Sequence, residues 1–344
     1  MSNRPQPPRR ILIVRISALG DMVFCTSLLE GLRRAYPGAY IAWLAQPTLA
    51  GLLEGDARLS ELIRLPAGAL DSLSGLLETR RLLAKEPKFD WVIDAQGLFK
   101  TRLLARMVRA RRRYGFGSKE PGGFLMHELV PKDGEPRTIG REYRHLARYL
   151  TGGPDPGAPR LVPSLLASER AADIMRSTHL PPGFIALCPF TTRPQKHWME
   201  PYWGELARRL RDLGLGPFAV FGSPADRDAA RRIMAGMPEN TVDLVGATRI
   251  SDLSAMLDRA SLVIGVDTGL THIGSAVRKP VLALFGSTCP YTGGADSPLK
   301  VMYLALPCAP CKRHPTCGGV FMCMRDLKPE RVAAEAQKLL LETA

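Results

Sequence analysis

Short apolar runs with strand character alternate with helical segments along most of this 344-residue chain. The clearest case is residues 11–16, ILIVRI, which a helical segment over 21–36 follows. Such alternation is typical of βαβ units, whose parallel strands are buried on both faces. It predicts an α/β fold built on parallel sheets. Further strands are expected at 39–45, 90–95, 184–188, 217–221, 262–266 and 280–285, and further helices at 98–109, 168–177 and 329–341.

A segment rich in proline and glycine, TGGPDPGAPRLVP over residues 151–163, interrupts this pattern near the middle of the chain. Its composition disfavours regular structure and suits a linker, and the chain length is that of about two domains. We therefore expect one α/β domain over 1–155 and another over 156–344, with a cleft between them and a final helix that packs on its own domain or back on the first. Ligands of open parallel sheets bind beyond the carboxyl ends of the strands, so functional residues are sought in the loops that follow strands.

The net charge of +14 favours an anionic partner, which is a phosphate-rich lipid, a nucleotide or a nucleic acid. Nucleic acid is the least favoured of the three, because the cations are dispersed and no aromatic platform or recognised nucleic-acid module accompanies them. The longest apolar runs have strand length, which predicts no membrane-spanning helix. The basic N-terminus lacks the hydrophobic region of a signal peptide, so a cytoplasmic protein is expected.

Asp21 follows the first strand in the sequence Ser17-Ala18-Leu19-Gly20-Asp21. At the carboxyl edge of the sheet this carboxylate is placed for chemistry, and Gly20 allows the backbone to approach a ligand. Alternatively, Asp21 is the N-cap of the helix, a position where Asp is favoured. A dinucleotide site is disfavoured because the GxGxxG pattern is absent.

The loop after strand 184–188 carries Thr191, Thr192, Arg193 and Lys196. Hydroxyl and cationic donors beyond a buried strand suit a diphosphate, whose oxygens need hydrogen-bond donors and whose charge must be offset. The alternative is a solvated loop in which the nearby Trp198 packs on the next helix.

The strand at 262–266 leads into Asp267-Thr268-Gly269-Leu270-Thr271-His272 and a helix. A helix N-terminus is an anion site, to which Thr268 and Thr271 would add hydroxyl donors. Asp267 would repel a phosphate, so it needs a different role. It either caps the helix, orients His272 or holds a cation, and we favour the cap. An ordinary strand-to-helix turn is the alternative.

Asp226 lies just past the strand at 217–221. It is placed either to accept hydrogen bonds from a ribose diol or to cap the helix that begins there.

Four of the seven cysteines lie within sixteen residues, at Cys308, Cys311, Cys317 and Cys323. Four thiolates at such spacing suit a tetrahedral zinc or iron site in a chain where disulfides are disfavoured. The spacing is irregular compared with paired CxxC motifs, and reduced loop thiols are the favoured alternative.

Five segments, ILIVRISALGDMVFCT, WVIDAQGLFKT, TTRPQKHW, VDTGLTH and the CAPC region, occur in order over nearly the whole chain. Together they resemble the ADP-heptose lipopolysaccharide heptosyltransferases, glycosyltransferase family 9, which have a GT-B fold of two Rossmann-like domains with parallel sheets facing across a cleft. The TTRxxKHW form looks closer to the heptosyltransferase I type, which adds the first heptose to a Kdo sugar. The cysteine-rich tail is more widespread in the family, so addition to Kdo and addition to the first heptose both stay open.

The resemblance implies inverting transfer of heptose from ADP-heptose to the inner core of lipopolysaccharide, with an acceptor-binding first domain and a nucleotide-sugar-binding second domain. Asp21 matches the proposed catalytic base and Lys196 the phosphate-binding lysine. The implied donor-binding residues are Thr191, Thr192, Lys196, Asp226, Asp267, Thr268, Gly269, Leu270 and His272. The implied acceptor-binding residues are Ser17, Gly20, Gln96, Lys100, Lys119, Arg141 and Arg144, argued mainly from charge.

No cofactor is expected for catalysis, and the expected partners are ADP-heptose, an anionic core glycolipid and the anionic inner face of the inner membrane, with no nucleic acid. The runner-up functions are a nucleotide-sugar epimerase of the same architecture and, less favoured, a nucleic-acid-binding protein.

Overall fold

A computed structural model describes residues 6–66, 68–131, 137–291 and 293–343. The chain divides into two compact units, and the division falls between Pro159 and Arg160, inside the segment rich in proline and glycine. The first unit is Met1–Pro136 with Gly140–Pro159, and the second is Arg137–Ile139 with Arg160–Ala344. No helix among the described residues is both long enough and apolar enough to cross a bilayer.

The first unit is built on a six-stranded parallel sheet of order β3-β2-β1-β4-β5-β6. Its elements are β1 (Arg10–Val14), α1 (Leu19–Ala35), β2 (Tyr40–Ala45), α2 (Pro47–Ala50), β3 (Glu61–Arg64), α3 (Leu73–Lys85), β4 (Phe89–Asp94), α4 (Phe99–Met107), β5 (Ala110–Phe116), β6 (Glu128–Val130) and α5 (Arg141–Thr151).

The second unit is built on a six-stranded parallel sheet of order β12-β11-β10-β7-β8-β9. Its elements are α6 (Leu165–Ser177), β7 (Ile185–Cys188), α7 (Glu200–Asp212), β8 (Phe218–Val220), α8 (Arg227–Met234), β9 (Thr241–Asp243), α9 (Ile250–Asp258), β10 (Leu262–Val266), α10 (Gly269–Ala276), β11 (Val281–Phe285), β12 (Leu299–Tyr303), α11 (Met322–Arg325) and α12 (Pro329–Leu341).

The two sheets have the same strand order when each is counted from its own first strand, and this order is that of the Rossmann fold. The order reverses between β1 and β4 in the first unit and between β7 and β10 in the second. Ligands of such sheets bind in the crevice beyond the carboxyl ends of the strands at this switch point. The predicted α/β fold with two Rossmann-like domains is confirmed, and each switch point is bordered by a loop in which the sequence placed functional residues.

Burial explains which strands the sequence identified. Every residue of β7, β10 and β11 is buried, as expected for central parallel strands that are covered by helices on both faces. Each unit has its own apolar cluster, one around Leu12, Leu44 and Val92 and one around Leu187, Ile264 and Leu284. The final helix, α12, packs within the second unit, against α7 and the strands β10 and β11.

Candidate active site

A cluster of polar side chains surrounds Asp267, at the end of β10 in the second unit. Its Oδ2 accepts hydrogen bonds from Lys196 Nζ at 2.5 Å and from Thr288 Oγ1 at 2.7 Å. Its Oδ1 lies 3.3 Å from His272 Nε2. Lys196, Asp267 and Thr288 follow the neighbouring strands β7, β10 and β11, so the carboxylate connects three loops at the carboxyl edge of the sheet.

The Lys196–Asp267 ion pair is mostly buried, with the two side chains 17% and 14% exposed. Burial alone would raise the pKa of Asp267, but His272 and Lys196 outweigh it and hold this pKa well below its usual range. The carboxylate is therefore charged, and its attraction fixes the position of the Lys196 ammonium group.

The favoured capping role of Asp267 is wrong. Thr268 is the N-cap of α10, and its side chain makes no capping hydrogen bond. Asp267 instead holds a cation, Lys196, and orients His272, the two roles that we ranked below the cap. The His272 ring also meets the hydroxyl of Tyr291, 3.0 Å from Nδ1.

The helix N-terminus comes close to β10 because Gly265 has no side chain: a Cβ there would lie 2.3 Å from Thr271 Oγ1. The Thr271 hydroxyl is buried and donates to the Val266 carbonyl at 2.7 Å, so its predicted role as a donor to an anion is wrong. Gly269 and Leu270 form the first turn of α10.

The loop after β7 is held by its own hydrogen bonds. His197 Nε2 lies 2.8 Å from the Thr191 carbonyl oxygen, and Thr191 Oγ1 donates to the Asp267 carbonyl at 3.4 Å. Thr192 is exposed. Trp198 is buried and donates to the Leu327 carbonyl at 2.8 Å, which confirms that it is a packing residue. This anchored loop brings Lys196 to Asp267.

Asp226 lies in a 3-10 turn, Pro224–Asp226, and its Oδ2 accepts from the backbone N–H of Ser223 at 2.7 Å and from the Ser223 hydroxyl at 2.6 Å. This is a capping box of the 3-10 turn, in which Ser223 is the N-cap. Asp226 is also the N-cap residue of α8, but its side chain makes no capping hydrogen bond to that helix, so the expected capping role is met only by position. Its predicted contact with a ribose stays a prediction.

In the first unit, Asp21 forms an ion pair with Arg15, which follows β1. Arg15 is buried, and its Nη1 donates to the Ala95 carbonyl at 3.3 Å, whereas the Asp21 side chain is half-exposed. The N-cap of α1 is Ala18, so the interpretation of Asp21 as a cap is wrong. A buried arginine thus holds one carboxylate oxygen while the side chain remains open to solvent.

The loop after β4 is shaped by Asp94, a fully buried residue that accepts from the backbone N–H groups of Gln96 and Gly97, both at 3.1 Å. Burial raises the pKa of Asp94, and these two hydrogen bonds oppose the rise. Gln96 Oε1 in turn accepts from the backbone N–H groups of Ile16 and Ser17, at 3.1 and 3.4 Å. The loops after β1 and β4 are therefore joined through one glutamine.

A cavity of about 500 Å³ opens at the carboxyl edge of this first sheet. Ser17, Gln96 and Lys100 line it, together with Gln46 and Thr48 after β2. Its other walls are mostly apolar residues from the loops after the first four strands, together with the polar residues Asp71 and Thr101. A volume of this size suits a small ligand. Three of the predicted acceptor residues therefore share one cavity.

The remaining predicted acceptor residues do not line this cavity. Arg144 makes a two-point ion pair with Asp155 and holds the pKa of that carboxyl below its usual range. Arg141 begins α5, and Lys119 is exposed in the loop that follows β5. Gly20 lies in the first turn of α1, beside Asp21.

The four cysteines of the tail differ in exposure: Cys308 is exposed, Cys311 and Cys317 are half-buried, and Cys323 is buried. Burial and the neighbouring thiols raise the pKa of Cys311 and Cys323, which favours their protonated forms. Within the described ranges, no group of three or more His, Cys, Asp or Glu side chains is placed to hold a metal ion. This arrangement does not fit a ready-made metal centre, and the metal stays a prediction.

Sequence reasoning missed Arg15, Thr288 and Tyr291. The signal for Arg15 was present, because a single charged residue interrupts the apolar run ILIVRI. Thr288 and Tyr291 follow the predicted strand at 280–285, in a loop where the rule on strand ends could have found them.

Comparisons with known proteins identify the family and the fold. The sequence profile of glycosyltransferase family 9 (heptosyltransferase) matches residues 79–319. Lipopolysaccharide heptosyltransferase 1 of Pseudomonas aeruginosa is 30% identical over 363 residues, covering 96% of this chain and 98% of that protein. A family 9 glycosyl transferase from Veillonella parvula, 24% identical, superimposes with a TM-score of 0.86 over 97% of this chain and 98% of the other. ADP-heptose lipopolysaccharide heptosyltransferase II of Escherichia coli is also 24% identical. It superimposes with a TM-score of 0.79 over 97% of this chain and 99% of the other.

The fold is therefore the GT-B fold of glycosyltransferases. This chain belongs to glycosyltransferase family 9, the heptosyltransferases, and is a transferase. The family inferred from the sequence motifs is confirmed.

The Asp267→Asn variant should lower the free energy of unfolding by about 3 kcal/mol at neutral pH, because Lys196 is left mostly buried without its counter-ion. The pKa of Asp267 lies below its unfolded value of about 3.9, so the stabilisation is complete above that value and is lost as the pH falls below it. Urea unfolding of both proteins at a series of pH values should show a constant difference above about pH 5 that shrinks below about pH 4.

The matched control is Asp258→Asn, which breaks a partly exposed ion pair in which Asp258 Oδ1 lies 3.6 Å from Lys279 Nζ. This variant should lower the free energy of unfolding by less than about 1 kcal/mol. Equal losses in the two variants, or a difference for Asp267→Asn that is unchanged at acid pH, would contradict the assigned ion pair.

Proposed function

We propose that this chain transfers a heptose from ADP-heptose onto the inner core of lipopolysaccharide, with inversion at the anomeric carbon. The observation that carries the proposal is the Lys196–Asp267 cluster beside the N-terminus of α10, in a chain of family 9. The name of the Escherichia coli relative, ADP-heptose lipopolysaccharide heptosyltransferase II, includes ADP-heptose, which we take as the donor.

The donor half of the reaction needs positive potential for a diphosphate. Lys196 supplies a fixed ammonium group, and the first turn of α10 supplies backbone N–H groups. Thr192 and Thr268 lie in the same loops and add hydroxyl donors, whereas Thr191 adds one only if it gives up its 3.4 Å hydrogen bond to the Asp267 carbonyl. Asp226 is assigned to the ribose. These groups stabilise the charge that develops on the departing ADP.

The acceptor half needs a proton acceptor that is reachable from solvent. Asp21 fits because its side chain is half-exposed and Arg15 holds Oδ2, which leaves Oδ1 without a hydrogen bond from any described residue. Ser17, Gln96 and Lys100 line the cavity that receives the acceptor sugar. Gly20, Lys119, Arg141 and Arg144 are retained as weaker acceptor candidates.

The reaction is a single in-line displacement. An acceptor hydroxyl oxygen attacks the anomeric carbon and forms the new glycosidic bond, while Asp21 takes the hydroxyl proton. The bond from the anomeric carbon to the diphosphate oxygen breaks, and ADP leaves with that electron pair from the opposite face. The anomeric configuration therefore inverts.

Two variants separate the proposed roles. Asp21→Asn should reduce turnover by at least about 10²-fold and leave ADP affinity nearly unchanged, because only the proton acceptor is lost. Lys196→Ala should weaken both ADP binding and turnover, because the diphosphate loses its fixed cation. The measurement pairs ADP-heptose and other nucleotide sugars with truncated core glycolipids, identifies the product by mass, and determines ADP affinity by calorimetry.

Lys279→Ala, which removes the partly exposed partner of Asp258, is the control and should behave like the wild type. Full turnover in Asp21→Asn would reject the base assignment, and unchanged ADP affinity and rate in Lys196→Ala would exclude the phosphate role.

The same experiment tests the epimerase alternative, which the family membership does not favour. An epimerase needs no second substrate. Consumption of the nucleotide sugar without an acceptor would select it.

We also propose that catalysis needs no bound metal ion, because Lys196 and the helix N-terminus already supply positive potential to the diphosphate. Turnover should persist undiminished in excess EDTA and should not rise with added Mg²⁺. Elemental analysis of the same sample tests the cysteine tail: zinc or iron that is lost in a Cys311→Ser/Cys317→Ser variant would establish the metal site, and its absence would leave reduced thiols. Turnover that stops with EDTA and returns with Mg²⁺ would overturn metal independence.

The net charge of +14 supports a further proposal, that the protein works in the cytoplasm at the anionic inner face of the inner membrane, with glycolipid and lipid, not nucleic acid, as its anionic partners. Each well-placed Lys or Arg adds about 1 kcal/mol to such binding. Binding to vesicles that contain phosphatidylglycerol should therefore fall steeply as salt is added. No binding at low salt would refute this contact.

A further inference from the structure

We propose that five exposed apolar side chains of the first unit form a surface that enters the anionic lipid bilayer. This surface, the apolar rim, consists of Leu73, Leu77, Leu98, Phe99 and Phe124. Phe124 is 84% exposed and Leu73 is 74% exposed, and the other three are between 40% and 46% exposed. The inference rests on the membrane contact proposed above and names the residues that make it.

The two aromatic residues of the rim lie on adjoining elements. Phe99 begins α4, and a Cβ placed on Gly122 would lie 2.9 Å from its Cδ2, so the ring lies against that turn. Gly122 leads directly into the 3-10 turn Gly123–Leu125, which carries Phe124. The start of α4 and this turn therefore form one continuous part of the surface.

The leucines of α3 extend this surface. Leu73 and Leu77 are four residues apart and lie on the same face of the helix. The chain enters α3 just after Asp71, whose Oδ1 lies 3.7 Å from Lys100 Nζ in the first turn of α4. The first turns of α3 and α4 are thus neighbours.

Phe124 is exposed on an anchored loop. Arg102 of α4 is fully buried, and its side-chain hydrogen bonds within the described ranges all go to the segment before Phe124. They reach the carbonyl groups of Phe116, Glu120 and Pro121 and the hydroxyl of Ser118. Ser118 in turn donates to the Gly97 carbonyl at 2.9 Å. The structure therefore holds a large apolar ring in water on a fixed support.

The chemistry of the rim fits a lipid surface. Apolar side chains mixed with Lys and Arg are the composition of interfacial membrane-binding segments. In the three segments that carry the rim, residues 71–81, 98–100 and 118–124, the cations Arg80, Arg81, Lys100 and Lys119 outnumber the acids Asp71, Glu78 and Glu120 by only one. Insertion of the apolar side chains therefore provides most of the binding at the rim itself. The net charge of the whole chain provides the long-range attraction to anionic lipid.

The position of the rim favours a bilayer over a second copy of the chain. Leu98 belongs both to the rim and to the lining of the cavity assigned to the acceptor. An acceptor whose lipid part lies in the bilayer would present its sugars beside this rim. A second copy of the chain on this face would instead cover the mouth of that cavity.

Flotation with vesicles of phosphatidylethanolamine and phosphatidylglycerol tests the proposal. The Leu73→Ser/Phe124→Ser double variant should bind at least about tenfold more weakly than the wild type, because two exposed apolar side chains no longer leave water. The matched control is Leu165→Ser/Leu166→Ser on α6 of the second unit, where the residues are 78% and 54% exposed. It should float like the wild type.

Turnover separates a failure of this proposal from a failure of the proposed function. The rim variant should keep wild-type turnover on a lipid-free core oligosaccharide and lose it on the same acceptor embedded in vesicles. Unchanged flotation of the rim variant, or an equal loss of vesicle binding in the rim and control variants, would overturn the role of the apolar rim. Heptose transfer by the wild type would still support the proposed function in that case. Absence of transfer by the wild type on both acceptors would reject the function, and flotation would still decide the rim.

Sedimentation of the wild type without lipid tests whether a second copy of the chain covers the apolar rim. A monomer is expected. A dimer that dissociates in the rim variant would show that a second copy of the chain covers this face, and would overturn the proposal.

Discussion

The candidate donor site depends on one mostly buried ion pair. Asp267 holds the Lys196 ammonium group, and the same carboxylate also accepts from Thr288 and lies beside His272. A lysine on a flexible four-carbon stem has many conformations in solvent, and pairing with a fixed carboxylate restricts it to one. The ion pair thereby joins the loops after three neighbouring strands, and the geometry of the whole site follows from it.

The first unit also holds its proposed reactive side chain by an ion pair with a buried partner, but with the charges exchanged. There the mostly buried partner is a cation, Arg15, and the residue proposed for chemistry is the carboxylate of Asp21. Both chemically assigned side chains therefore sit at a switch point in the strand order, and each is held by a charged neighbour that is itself packed in protein. Such support fixes a reactive group more precisely than a solvated loop can.

The sequence predicted the central strands well because uniform burial produces uninterrupted apolar runs, as in β7, β10 and β11. It missed β5, since ARRRYGF looks charged although Arg113 is buried and bonded to the carbonyl groups of Ala105 and Val108. The edge strands β3, β6, β9 and β12 were also missed, because partly exposed strands lack the apolar signal. The sequence predicted that Asp267 follows a strand, but its pairing with Lys196, 71 residues away, was not predicted, because capping rules consider only neighbouring residues.

The repeated strand order has a consequence for how such enzymes diversify. Each unit is organised around its own apolar cluster, so substitutions in the loops of one sheet do not require repacking of the other. Under the proposed division of labour, a change of acceptor involves the surface loops that follow β1 to β4, while the nucleotide pocket persists. One pyrophosphate-handling framework can thus serve successive steps in building a branched saccharide.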